Sequence, residues 1–172
     1  MWWYRHWPLL GAALLLAGCG FHPLYASHRG SRFDADLASI KVNTIADRQG
    51  QLLAIALRDA LNPTGAHVDT RYTLDVSLTS VRQDIGINPD GTASRSEIAL
   101  TAKFVLKNAK AQTAVLEGTT HSVSSYDDTS DNYATVIASQ SAEQRTVDEI
   151  GEDILMRLQL YVSHHRSAPA PS

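Results

Sequence analysis

The chain has 172 residues, 44% hydrophobic but only 7% aromatic, with a formal net charge of -3 and a single cysteine. That length suits one domain with a core of its own. The mild, interspersed charge excludes the global basic field on which nucleic-acid binding draws, and one cysteine excludes a disulfide framework.

The N-terminus carries Arg5 and then an apolar run, Leu9-Leu10-Gly11-Ala12-Ala13-Leu14-Leu15-Leu16-Ala17, that stops at Gly18-Cys19-Gly20. A membrane-spanning helix needs about 20 apolar residues, and this run is about half that. Residues 1–18 therefore read as a secretion signal that is removed, and loss of Arg5 takes the net charge from -3 to -4. Leu16-Ala17-Gly18-Cys19 resembles the bacterial lipoprotein signal, which implies that Cys19 is lipidated and becomes the first mature residue. A lone thiol in an oxidising compartment fits that role, and a multiply acylated cysteine anchors durably. Gly20 stands where an aspartate would favour inner-membrane retention, which implies the periplasmic face of the outer membrane.

Residues 19–35 form an N-terminal arm: Gly20-Phe21-His22-Pro23-Leu24-Tyr25, then a polar spacer, Ala26 to Arg32. Phe21, Leu24 and Tyr25 either dock on the domain or lie in the membrane interface. The domain itself spans 36–163. From Leu37 to Ala46, Ile40, Val42 and Thr44 alternate with Lys41, Asn43 and Ile45, predicting a strand. Asp47 is placed to cap a helix whose apolar stripe is Leu53, Leu57, Ala60 and Leu61, and Asn62-Pro63-Thr64-Gly65 ends it.

Tyr72, Leu74, Val76 and Leu78 alternate with polar residues, a half-buried strand, and Val81 breaks the register, predicting a bulge or twist near Ser80. Asn88-Pro89-Asp90-Gly91 reverses the chain into a partner from about Ser94 to Lys107, with Ile98, Leu100, Ala102, Phe104 and Leu106 inward. A turn at Asn108 to Gln112 leads to a third strand, Ala114 to Ser125, polar enough for a sheet edge. Asp127 to Asn132 can satisfy the free amides of a long helix. Its stripe, Val147, Ile150, Ile154, Leu158 and Tyr161, runs down to Val162, while Val136 and Ile137 stand in a weaker first half. The tail, 164–172, is small, polar and proline-rich, and is expected to be disordered. The order strand-helix-strand-strand-strand-helix predicts a two-layer α+β domain, a four-stranded mostly antiparallel sheet with two helices packed on one face.

Cys19-Gly20-Phe21-His22-Pro23-Leu24-Tyr25 resembles the start of mature LptE-family lipopolysaccharide-assembly lipoproteins, and the order of elements is similar over nearly the whole mature chain. The resemblance implies a plug inside the outer-membrane translocon LptD, a role in assembling that barrel, and contact with lipopolysaccharide. The alternative is an auxiliary lipoprotein of an envelope lipid-transport ABC system, which would need an apolar cavity for an acyl chain.

No HExxH, GxSxG, Walker-type or GxGxxG pattern occurs, so no catalytic residue, metal ligand or cofactor is assigned. The histidines, His22, His28, His67, His121, His164 and His165 after the leader, read as solitary surface residues without convergent partners. The aspartates from 127 to 131 lack the spacing of a calcium loop and read as helix caps. Arg82, Arg95, Lys103, Lys107 and Lys110 lie in and around the predicted hairpin. They are candidates for lipopolysaccharide phosphates, or else ordinary solvated strand and turn charges.

Overall fold

A computed structural model describes residues 32–87, 89 and 93–166. The leader, Cys19, residues 20–31, most of the Asn88 to Gly91 turn and residues 167–172 lie outside the described residues. The elements in order are α1 (Arg32–Ala38), β1 (Ile40–Val42), α2 (Asp47–Leu61), β2 (Tyr72–Ile87), β3 (Ala93–Asn108), β4 (Ala114–Asp127) and α3 (Asn132–Arg166). The sheet order is β1-β2-β3-β4, with β1 parallel to β2 and the other neighbours antiparallel. The single parallel pair follows from connectivity, because β1 reaches β2 through the α2 crossover while the later strands are joined by turns.

The expected α+β architecture is present, with a third, short helix. Where Leu37 to Ala46 reads as one strand, the chain forms the end of α1, a three-residue β1 and a loop. Phe33 and Leu37, one turn apart, pack on the core from α1. After Val42 the alternation fails: Thr44 is exposed and Ile45 turns inward to 2% exposure. Gly50 makes room for it, since a Cβ there would sit 2.6 Å from Ile45 Cγ2. Asp47 is not the cap. Ala46 occupies that position without a side-chain cap bond, Asp47 is the first helical residue at φ 66°, and Gln51 Nε2 donates to the Ile45 carbonyl instead. The helix ends as the sequence predicts: Asn62 donates its amide to Arg58 O, its side chain accepts from Ala66 N, and Gly65 takes φ 63°.

β2 and β3 pair in unbroken register from Tyr72↔Asn108 to Asp84↔Ser96, so the bulge expected near Ser80 lies at Asp84 to Ile87 instead. Val81 keeps the alternation and simply faces the open side, 53% exposed. Capping of α3 follows the sequence: Asp131 Oδ1 accepts from Tyr133 N at 2.9 Å and Ala134 N at 3.3 Å. The same helix continues past Ser163 to Arg166. His165 holds that last turn, its ring 4.0 Å from that of Tyr161 and its Nδ1 3.0 Å from Tyr161 O.

The core lies between one face of the sheet and the helices. Leu74, Leu100, Ala102 and Leu106 meet Val147, Ile150, Ile154 and Leu158, all fully buried. Each large side chain so buried contributes about 1.5–3 kcal/mol. A second, smaller cluster, Ile98, Tyr126 and Ala142, carries the packing toward the β2–β3 turn. There α3 presents Ala138 and Ala142 to the sheet, and Val136 and Ile137 stay about half exposed. Small residues bring helix and sheet close where large ones would prop them apart.

Ile150→Ala is expected to lower stability by about 2–5 kcal/mol in urea denaturation. Ile55→Ala, on the solvent side of α2 at 52% exposure, should stay within about 0.5 kcal/mol. Equal losses would contradict a core confined to one face.

Candidate functional site

Because the helices pack on one face, the other face of the sheet is left open. Strand alternation assigns its residues: Thr79, Thr101 and His121 form one row across β2, β3 and β4, and Val81, Ala99 and Val123 form the next. Hydroxyls and small side chains dominate this middle band. Ion pairs and amide bonds lie at its two ends. At one, Arg95 Nε meets Asp127 Oδ1 at 3.0 Å and Gln83 Nε2 donates to Glu97 Oε1 at 3.1 Å. At the other, Lys107 Nζ lies 2.7 Å from Asp75 Oδ2, and Asn43 Nδ2 donates to Asp75 Oδ1 at 2.6 Å.

The five candidate cations do not form one cluster. Arg95, Lys103 and Lys107 share the open face, but β3 sets Lys103 about 27 Å from Arg95 and about 14 Å from Lys107. Lys103, between Ser77 and Thr119 in the register, forms no ion pair among the described residues. Arg82 is on the helix-covered side, opposite Ile98, with its guanidinium 5.1 Å from the Tyr126 ring centre and 3.8 Å from Asp128 Oδ1. Lys110 lies in the β3–β4 turn, where Asn108 Oδ1 accepts from its backbone amide at 2.9 Å. Asp127 and Asp128, read from sequence as caps, instead pair with Arg95 and with Arg82 and Ser96.

Three contacts invisible in the sequence tie α3 to β4. Arg145 Nε donates to Ser124 Oγ at 3.1 Å and its Nη2 to Ser125 O at 3.3 Å, while Ser122 Oγ donates to Glu149. Arg145 and Glu149 are four residues apart on the helix, off its apolar stripe. That spacing places both on one flank but does not say which strand they reach.

The site is thus an open β-face whose cations stand apart from one another, Arg95 and Lys107 ion-paired and Lys103 without an ion pair among the described residues, and no helix among the described residues is long and apolar enough to cross a membrane. This is the architecture of a small two-layer domain built to present one sheet face. Residues 37–158 match the LptE family, described as lipopolysaccharide-assembly, and the chain belongs to that family. Among solved structures it is similar to a protein of Caulobacter crescentus CB15 assigned as a lipoprotein, with 28% identity and a TM-score of 0.63, covering 81% of this chain and 100% of that one. Rare lipoprotein B of Shewanella oneidensis shares the fold at 11% identity and a TM-score of 0.55, covering 74% of this chain and 98% of that one. A minor lipoprotein of Acinetobacter baumannii does so at 17% identity and 0.50, covering 70% and 88%. A comparison with curated proteins finds no match.

The Asp75 carboxyl is held below the ordinary aspartate range, first by the hydrogen bond from Lys107 and then by that from Asn43, with burial opposing. A depressed carboxyl stabilises the fold above its unfolded-state value, and that contribution is lost as pH falls through the folded value. Both partners are more than a third exposed, 37% for Lys107 and 40% for Asp75, so the pair contributes at most about 1 kcal/mol at neutral pH. Lys107→Met should therefore flatten the acid limb of a stability-against-pH curve below about pH 4. An acid limb parallel to that of the unaltered protein would show that the pair does not act there.

Proposed function

We propose that this chain is a non-catalytic outer-membrane lipoprotein that fills the lumen of an LptD-type β-barrel, supports assembly of that barrel and assists delivery of lipopolysaccharide to the outer membrane. Residues 1–18 are the signal that is removed, and Cys19 carries the lipid on the periplasmic face. The 13 steps from Cys19 to Arg32 reach at most about 45 Å, a tether long enough to leave the domain free of the bilayer surface.

Family membership combined with one-sided burial carries this reading. The interior of a large transmembrane barrel is polar, and the open face of this sheet offers it threonines, serines and short ion-paired rows. The space between sheet and helices is filled by fully buried leucines, isoleucines and Phe104. That favours a plug over an acyl-chain carrier of an ABC transport system, which would need that space empty.

Lipopolysaccharide phosphates are taken by cations of the open face, Lys103 first because no carboxylate pairs with it among the described residues, with Lys107 and Arg95 farther along the same face and Arg82 and Lys110 outside it. Lys103→Glu with Lys107→Glu should weaken lipopolysaccharide binding about tenfold, the equivalent of about 1.4 kcal/mol, with circular dichroism unchanged. Unaltered binding would remove these residues from the site.

The reading as a whole is tested by affinity purification of the tagged, lipidated protein from outer membranes in mild detergent. A large β-barrel recovered in equal amount is the expected result. An inner-membrane transporter component in its place would overturn the plug reading in favour of the ABC auxiliary.

A further inference from the structure

The end of the domain where α1 begins holds a small cavity, away from the open face of the sheet. It measures about 200 Å³ and is lined by Asp36 of α1, Arg71 and Tyr72 where β2 begins, and Tyr161, Val162 and His165 in the last turns of α3. Tyr72 and Tyr161 meet edge to face, with ring centres 6.0 Å apart and planes at 88°, and His165 lies on Tyr161 with ring centres 4.0 Å apart. Perpendicular rings face in two directions, so together they wrap a rounded group better than a flat one. Burial, and after it the neighbouring Tyr72, push the Tyr161 phenol above its ordinary value, so this ring is uncharged at neutral pH.

The same cavity carries one charge of each sign. Arg71 Nη1 lies 2.8 Å from Asp36 Oδ1, with 67% and 29% of the two side chains exposed. A guanidinium carries five donors, and this ion pair engages one nitrogen, so Arg71 keeps donors for a second acceptor. Electron-rich ring faces attract an ammonium group, and aromatic walls are the usual recognition device for alkylammonium ligands. An ammonium held among the rings and Asp36 leaves Arg71 to take an anion a few ångströms away. The ligand so defined carries both charges, joined by a short linker. A lone ammonium would leave Arg71 unmatched, and a bare phosphate would leave the rings unmatched.

We propose that this cavity binds the aminoalkyl phosphate headgroup of a zwitterionic phospholipid, with the ammonium among Tyr72, Tyr161 and His165 beside Asp36 and the phosphate on Arg71. The bilayer as its source rests on the lipid anchor proposed above. Asp36 lies one turn into α1, and α1 begins where the tether from Cys19 ends, so an anchored chain carries the cavity within reach of headgroups. Tethering raises their effective concentration, so a contact that is weak in solution suffices to hold the α1 end of the domain toward the membrane. A headgroup of the phosphoglycerol class fits less well. It would set hydroxyls against the rings and bring a net anion beside Asp36.

The test titrates soluble glycerophosphoethanolamine into the full lipidated chain in a maltoside detergent, with binding read by saturation-transfer NMR against glycerophosphoglycerol and ethanolamine. The first should bind at least about tenfold more tightly than either control. Arg71→Gln, at an exposed position that folding tolerates, should weaken binding about tenfold, and so should Tyr161→Leu where circular dichroism is unchanged. No binding, equal binding of either control, or full binding by Arg71→Gln would overturn the inference and leave the anchor and plug readings standing. The source is read in cells, with a photo-crosslinking residue at Thr70, exposed beside Arg71. An adduct with an aminoalkyl phospholipid is expected. An adduct with lipopolysaccharide in its place, or none, would overturn the bilayer source. The anchor has its own readout, incorporation of labelled palmitate at Cys19, which tells its failure apart from failure of the headgroup site.

Discussion

The structure depends on one contact: the stripe of α3, Val147, Ile150, Ile154 and Leu158, laid over the inward residues of β3, Leu100, Ala102, Phe104 and Leu106. Everything else is arranged around its one-sidedness. Because the helices supply apolar surface to one face only, strand alternation sends most hydroxyls, amides and cations of the central strands to the other, with Arg82 and the buried Ser96 on the helix side. α3 extends about 52 Å and the β2–β3 hairpin about 54 Å, so a single helix supports the sheet nearly from end to end. Ala138 and Ala142 keep that contact close where large side chains run out.

An open β-face is a packing surface, because it presents many short polar side chains at the regular spacing of the strands. Its charged rows are internally satisfied at both ends, leaving a middle band of threonine, valine and alanine with Lys103 as its isolated cation. The edges differ as well: β1 is short and Arg58 reaches its Val42 carbonyl, whereas β4 is long, with a register shift between Leu106 and Lys107 and with Arg145 and Glu149 of α3 bonded to it.

Much of this was legible from the sequence, because period-2 and period-3.6 patterns report burial directly. Leu100 to Leu106 and Val147 to Leu158 announce the core without ambiguity, and the Asp131 cap and the Gly65 turn are local signals that tertiary packing had no reason to override. The failures have local causes as well. Ile40 to Ile45 alternates like a strand, but Ile45 is drawn into the core by the space at Gly50, a contact that neighbouring positions in sequence do not encode. Val81 mimics a register break because an apolar side chain on an open face looks misplaced until the face is known. The basic residues gather within 29 positions of chain, yet β3 spreads three of them along its length and alternation sends Arg82 to the opposite side.

As a barrel plug, the chain would bury the open face of its sheet against the polar interior of the barrel. The chain's single cysteine is Cys19, so Thr79→Cys would place one free thiol in the middle of that face once Cys19 is acylated. Labelling of this thiol by a bulky maleimide should be rapid in the isolated protein and slowed at least about tenfold in the complex purified from outer membranes. Equal labelling rates in the two states would show that this face stays open in the complex.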